Sequence, residues 1–140
     1  MHADRVEHYV RRAADFLEGM ELTRSDDFYL NSSALLAIHS AVSFSDALRV
    51  GLGGGNLPDT DHNRAADSLQ KLLPSIGTVN QSGLAHFRYL LSKKHVVTYG
   101  DRRLERTDYE ALFIRAERFA RWADTIGRQL RIEGWKNDDQ

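Results

Sequence analysis

From Leu112 onward, apolar residues recur at alternating steps of four and three: Leu112, Ala116, Phe119, Ala123, Ile126 and Leu130. That spacing lays one continuous seam along an α-helix, and it must be covered by other helices. Only Pro58 and Pro74 interrupt the 140 residues, so long helices are permitted; an internal proline would break their hydrogen-bond ladder.

Four further segments carry helical spacing. Residues 4–20 place Val6, Val10, Ala13, Phe16, Leu17 and Met20 on one side, with a charged outer face. Residues 29–50 are apolar almost all round, through Leu35, Ile38, Val42, Phe44 and Leu48, which marks a central helix. A third helix is expected after Pro58, capped by Asp59, Thr60 or Asp61, with Ala65, Leu69, Leu72 and Leu73 inward until Pro74. A fourth opens at 78–80, where Thr78 and Gln81 have capping-box spacing, and turns Leu84, Phe87, Leu90 and Leu91 inward. In the last, Thr107 and Glu110 form a second capping box. No segment alternates with period two. The expectation is one all-α domain, an antiparallel four- to five-helix up-and-down bundle over residues 1–132, with a polar tail at 133–140.

Cysteine is absent, which removes disulfide and thiolate chemistry and fits a reducing cytoplasm. Neither a signal peptide nor a membrane helix is expected, since no apolar run approaches ~20 residues. The net charge of -1 excludes a global basic field, so any nucleic-acid contact has to be local.

Four glycines at 51–55 follow a helix instead of a strand and lack a Walker lysine, so they read as a helix stop and loop. The six histidines form no His-Glu-x-x-His pair, and neither metal nor cofactor is expected. His39, Ser43 and Asp46 share one helical face; a self-satisfying polar seam is favoured there over a metal site. Arg88, Ser92, His95 and Tyr99 form another stripe, flanked by Lys93 and Lys94. An arginine fork grips phosphate oxygens and an imidazole can move a proton, so this set has the chemistry to handle a phosphodiester. From the residues alone, an exposed basic face is the favoured reading.

Three stretches carry a resemblance in order and spacing. They are Ala37-Ile38-His39-Ser40-Ala41 with Asp46-Ala47-Leu48; Asp61-His62 with Ala65 and Leu69; and Leu91 to Gly100, then Thr107-Asp108 and Ala116-Glu117-Arg118-Phe119. Over residues 33–123 the chain resembles the HEPN superfamily, small helical bundles of bacteria and archaea. Many members are metal-independent ribonucleases whose arginine and histidine, separated by four to six intervening residues, are usually paired across a homodimer. Others in such systems act as toxins or defence effectors beside a nucleotidyltransferase-like antitoxin. The resemblance implies catalytic roles for Arg88 and His95, with His39, Asp46, Ser92, Lys94 and Tyr99 as binding residues. This chain departs from the pattern: Tyr89 follows Arg88, and a second register puts Lys94 and Tyr99 in the arginine and histidine positions. A phenol keeps its proton at neutral pH and makes a poor general base. The favoured expectation is a homodimeric protein with a degraded motif and a binding or accessory role toward RNA or nucleotides. The alternatives are an endoribonuclease using Arg88 and His95, or a structural protein-protein interaction module.

Overall fold

The computed structural model describes residues 2–53, 62–74 and 80–135. Five helices run in order: α1 (His2–Thr23), α2 (Leu30–Gly51), α3 (His62–Leu72), α4 (Gly83–Tyr99) and α5 (Arg106–Gln129), with a 3-10 turn at Asp27–Tyr29 before α2. No strand occurs among the described residues. The all-α bundle expected from the periodicity is the observed architecture.

Cross-helix pairs give the directions. Thr23 meets Ser33 (hydroxyls 2.6 Å apart), Ser40 Oγ donates to the Ala13 carbonyl at 2.8 Å, and Arg12 Nε donates to Ser43 Oγ at 3.2 Å. As the number falls on α1 it rises on α2, so the two form an antiparallel hairpin. By the same argument α4 and α5 are antiparallel: Gly83 lies under Trp122, Phe87 stacks on Phe119, and Tyr89 lies under Arg115. Helix α2 packs against all four other helices, as its all-round apolarity requires. Its buried side includes Ala34, Ala37, Ile38, Phe44, Ala47 and Leu48.

A polar chain fastens one end of the bundle. The Leu104 amide donates to the Tyr109 hydroxyl at 3.3 Å, which donates to Asn31 Oδ1 at 3.0 Å. Asn31 Nδ2 in turn donates to the Val97 carbonyl at 2.8 Å. The start of α2, the end of α4 and the start of α5 are thereby joined.

Three local expectations need correction. Helix α5 starts at Arg106 with Glu105 as its N-cap and no side-chain capping bond, so Thr107 and Glu110 do not act as a capping box. The Glu110 carboxylate instead faces Arg24, 3.4 Å away, and Arg106, 3.8 Å away. Helix α4 starts at Gly83, and upstream of it the Ser82 amide donates to Asn80 Oδ1 at 2.7 Å. Thr78 and the expected α3 caps Asp59, Thr60 and Asp61 lie outside the described residues. The third correction concerns the tail: Trp135 is buried, its ring 6.3 Å from Phe44 and its Nε1 donating to Asp124 Oδ1 at 3.0 Å. One indole with a core to rest on and an acceptor in reach outweighs its polar neighbours. Residues 136–140 lie outside the described residues.

Candidate anion-binding cleft

Helix α4 carries Arg88, Lys93, Lys94, His86 and His95 and not one carboxylate. Where each cation goes is settled by its neighbours, because consecutive residues on a helix point about 100° apart.

Arg88 turns to α3. Its two terminal nitrogens donate to Asp67 Oδ1 at 2.8 Å and to Gln70 Oε1 at 2.9 Å. The guanidinium is neutralised and its fork is occupied. His95 stays exposed, its ring 5.4 Å from that of Tyr99, and Tyr99 is 76% exposed. Ser92 is exposed and spends its hydroxyl on the Tyr89 carbonyl at 2.6 Å. The stripe expected from spacing thus faces solvent as a stripe, but its arginine is tied to α3.

Lys94 turns the other way, toward His39 on α2. Burial lowers its pKa, and no carboxylate among the described residues lies within ion-pair distance of it. His39 presents part of its ring to solvent. Burial of the remainder lowers its pKa, and the positive charges of Lys94 and Arg12 lower it further. Phe16 closes one side, its ring 5.8 Å from His39.

Two turns along α2 from His39, the Asp46 carboxylate sits beside two arginines. Asp46 is 3.9 Å from Arg12 and 3.7 Å from Arg49. Arg49 is 5% exposed and also donates from Nε to Ser68 Oγ on α3 at 3.3 Å. Burial pushes Asp46 up to about 6, against the pull of Arg49 and Arg12. Two arginines, Arg12 and Arg49, thus face the Asp46 carboxylate, and Lys94 faces His39. Around His39 the neighbouring charges, Lys94 and Arg12, are both positive, and an anion is the chemical class that would relieve their repulsion.

Of the residues singled out for binding, His39 and Lys94 face each other, Asp46 lies with Arg12 and Arg49, and Ser92 and Tyr99 lie on the exposed stripe. The sequence reading missed Arg12 and Arg49. Arg12 looked like one of many charges on the outer face of α1, and no local pattern separates it from Arg11. The polar seam expected from His39, Ser43 and Asp46 does not close on itself among the described residues: Ser43 is bonded from Arg12 of α1 instead. Among the described residues no group of three metal-ligating side chains occurs.

The opposite flank of the molecule has the opposite sign. A groove of about 450 Å³ between α1 and α5 is lined by Ala14, Leu17, Phe44 and Ala120, with Glu18, Glu21, Glu117, Asp124 and one cation, Arg121. Burial and the neighbouring Glu117 raise the pKa of Glu21. Among the described residues the chain is an all-α helical bundle in which Arg12, His39 and Lys94 lie near one another. Comparisons with known protein families, with curated proteins and with solved structures find no match.

Asp46 supplies a direct check on this electrostatic picture. Its folded value near 6 lies above the ordinary 3.8, so the folded protein binds the proton more tightly than the unfolded chain. That contribution is fully present below pH 3.8, falls as pH rises, and is gone above about 6. Its size is about 3 kcal/mol. Wild type should therefore gain stability relative to Asp46→Asn as pH falls across this window, measured by urea unfolding at several pH values. Parallel stability curves for the two proteins would refute it.

Proposed function

We propose that this chain is a HEPN-like helical-bundle protein with a binding or accessory role in RNA- or nucleotide-related bacterial processes, toxin-antitoxin or defence systems among them. The observation that carries the reading is the approach of Arg12 on α1 and Lys94 on α4 to the partly exposed His39 of α2, so that two positive charges act on one imidazole. A phosphate there would accept from lysine and arginine and take the place of the missing negative charge. A homodimer with α2 and α4 at its groove, and a nucleotidyltransferase-like protein partner, belong to the same proposal. The ligand-binding reading is preferred to the ribonuclease reading because Arg88 is engaged with Asp67 and Gln70.

The test is anisotropy of a labelled single-stranded RNA against salt. Lys94→Ala and Arg12→Ala should each weaken binding by roughly tenfold, and each should flatten the logarithmic salt dependence by about 0.7 for one lost phosphate contact. Binding should also tighten on acidification from about pH 7 to about pH 5, as His39 gains a proton and Asp46 approaches neutrality. Of the groups facing His39, Lys94 on α4 and Arg12 on α1 stay cationic throughout, as does Arg49 beside Asp46. RNA affinity unmoved by either substitution overturns the assignment. Cleavage of RNA in EDTA, lost on His95→Ala, would move the function to the exposed stripe. Salt-insensitive capture of a protein with no RNA affinity would make the chain an interaction module.

A further inference from the structure

Helices α1 and α5 both pack on α2 and hardly touch one another. They meet at their two ends. Arg24, just past the end of α1, reaches Glu110 and Glu117 of α5 at 3.4 and 3.3 Å. At the far end, the turn after α5 brings Gly134 against the Ala3 carbonyl of α1, so closely that a Cβ would not fit. The two helices are therefore antiparallel, and between their meeting points lies the groove of about 450 Å³ lined by Leu17, Phe44 and Ala120. Cavities of this size hold small organic molecules.

One end of the groove is acidic. Glu21 Oε1 and Glu117 Oε2 both lie on a single nitrogen, Arg24 Nη1, at 3.4 and 3.3 Å, and the other terminal nitrogen is 3.4 Å from Glu110. One guanidinium is thus shared among three carboxylates, and each contact is longer than the roughly 2.7–2.9 Å of a charge-assisted hydrogen bond. Glu18, one turn before Glu21, adds a carboxylate with no ion pair among the described residues. At the other end the acid is already used: Asp124 accepts from Arg128 Nε at 2.9 Å and from Trp135 Nε1 at 3.0 Å. The antiparallel register sets Ala14 opposite Asp124, and Phe44 stacks on Trp135 beside it, so this end is apolar. Along either wall, Glu21 to Ala14 or Glu117 to Asp124, the ends are two turns apart, about 10 Å of helix.

We propose that the groove between α1 and α5 binds a small organic ammonium with an apolar body about 10 Å long, its head at Glu21 and Glu117 and its body along Leu17, Ala120 and Phe44. The site is independent of Arg12, His39 and Lys94 and stands whether or not those residues hold a phosphate. An ammonium brings three donors and no acceptor, which suits carboxylates that have only acceptors. The raised pKa of Glu21, caused by burial and then by Glu117, has the same origin: two carboxylates held together with too little positive charge. A proton or a second cation relieves them, and only the cation brings an apolar body to cover Leu17. A basic helix of a protein partner carries the same charge, but a groove two turns long and bounded at both ends suits a free small molecule.

The experiment is isothermal titration calorimetry of the full chain with octylamine, which is protonated at neutral pH, beside butylamine and octanoate. Octylamine should bind. Butylamine, with half the chain, should bind at least about tenfold more weakly, because each buried methylene adds affinity. Octanoate, with the opposite charge on a similar chain, should also bind at least about tenfold more weakly. Glu21→Gln and Glu117→Gln should each weaken octylamine by about fivefold, the effect of one partly exposed ion pair. Ala14→Phe, which fills the apolar end, should weaken it by about tenfold or more, and Ala14→Leu serves if the larger ring disturbs the bundle. Asp101→Asn, a carboxylate lost outside the groove, should leave it unchanged. Circular dichroism and thermal unfolding check that each variant is folded. Octylamine that does not bind, or binds no better than octanoate, overturns the proposal. So does an octylamine affinity unmoved by both glutamate substitutions, or by both substitutions at Ala14, in folded protein. A basic amphipathic helical peptide that binds more tightly than octylamine, and loses that affinity in Glu117→Gln, would overturn it in favour of a protein partner.

Discussion

Phe119→Ala should lower the unfolding free energy by about 3–5 kcal/mol, the usual cost of truncating a fully enclosed aromatic side chain. Phe119 is fully buried and stacks on Phe87 with ring centroids 4.9 Å apart and planes within 16°. Trp122 lies on its other side at 5.5 Å. The substitution empties the joint between α4 and α5, so the loss includes ring contacts as well as buried area. Neither α4 nor α5 can close the gap freely, because the indole of Trp122 is held by its Nε1 bond to the Asn80 carbonyl at 2.6 Å. Urea unfolding followed by far-ultraviolet circular dichroism gives the measurement, with an unchanged m value showing that only stability has moved. Phe119→Leu should cost less, about 1–2 kcal/mol, since part of the volume is kept. A loss under about 1 kcal/mol for the alanine variant would mean that the ring is not packed as described.

The second large effect reverses an ordinary rule. Alanine in place of a helical glycine normally stabilises by roughly 1 kcal/mol. At Gly127, inside α5, the new Cβ would lie 2.2 Å from Cδ2 of Trp135, so the indole has to leave. Leaving breaks its contact with Phe44 and its bond to Asp124. Gly127→Ala should therefore destabilise by about 1–3 kcal/mol and shift tryptophan emission to the red as the indole meets water. In a Trp135→Ala background the same change should become neutral or stabilising, because the clash is gone and only helix propensity remains. A stabilised Gly127→Ala protein with unaltered emission would show that Trp135 does not dock there.

Such a dock could not be read from residues 133–140 on their own. The segment is polar except for one tryptophan, and its composition describes a solvated tail. The decisive facts are the glycine eight positions earlier and Phe44 on another helix. A similar argument covers the α5 start. Thr107 and Glu110 have the spacing of a capping box, yet Tyr109 is anchored to Asn31 and Glu110 is drawn toward Arg24. Two long-range bonds outweigh one local cap, and the helix begins earlier at Arg106.

The candidate site divides in the same way. His39, Ser43 and Asp46 were legible as one face of α2, and Lys94 as a cation of α4, because three- and four-residue spacing is local geometry. Arg12 was not, since its role comes only from the angle at which α1 rests on α2. Arg88 and His95 satisfied a spacing rule, but α3 supplies Asp67 and Gln70, and that takes the arginine out of the pair.

Helix content, the apolar seam of α5, the central place of α2 and the absence of acid on α4 all follow from the order of residues. These properties depend on neighbours within about two turns, which backbone geometry places without reference to the rest of the chain. The choice of which cation faces which carboxylate, and which flank of α4 faces which helix, was made only by docking. It depends on the rotation and register of packed helices, and these are set by the sum of all the buried contacts at once.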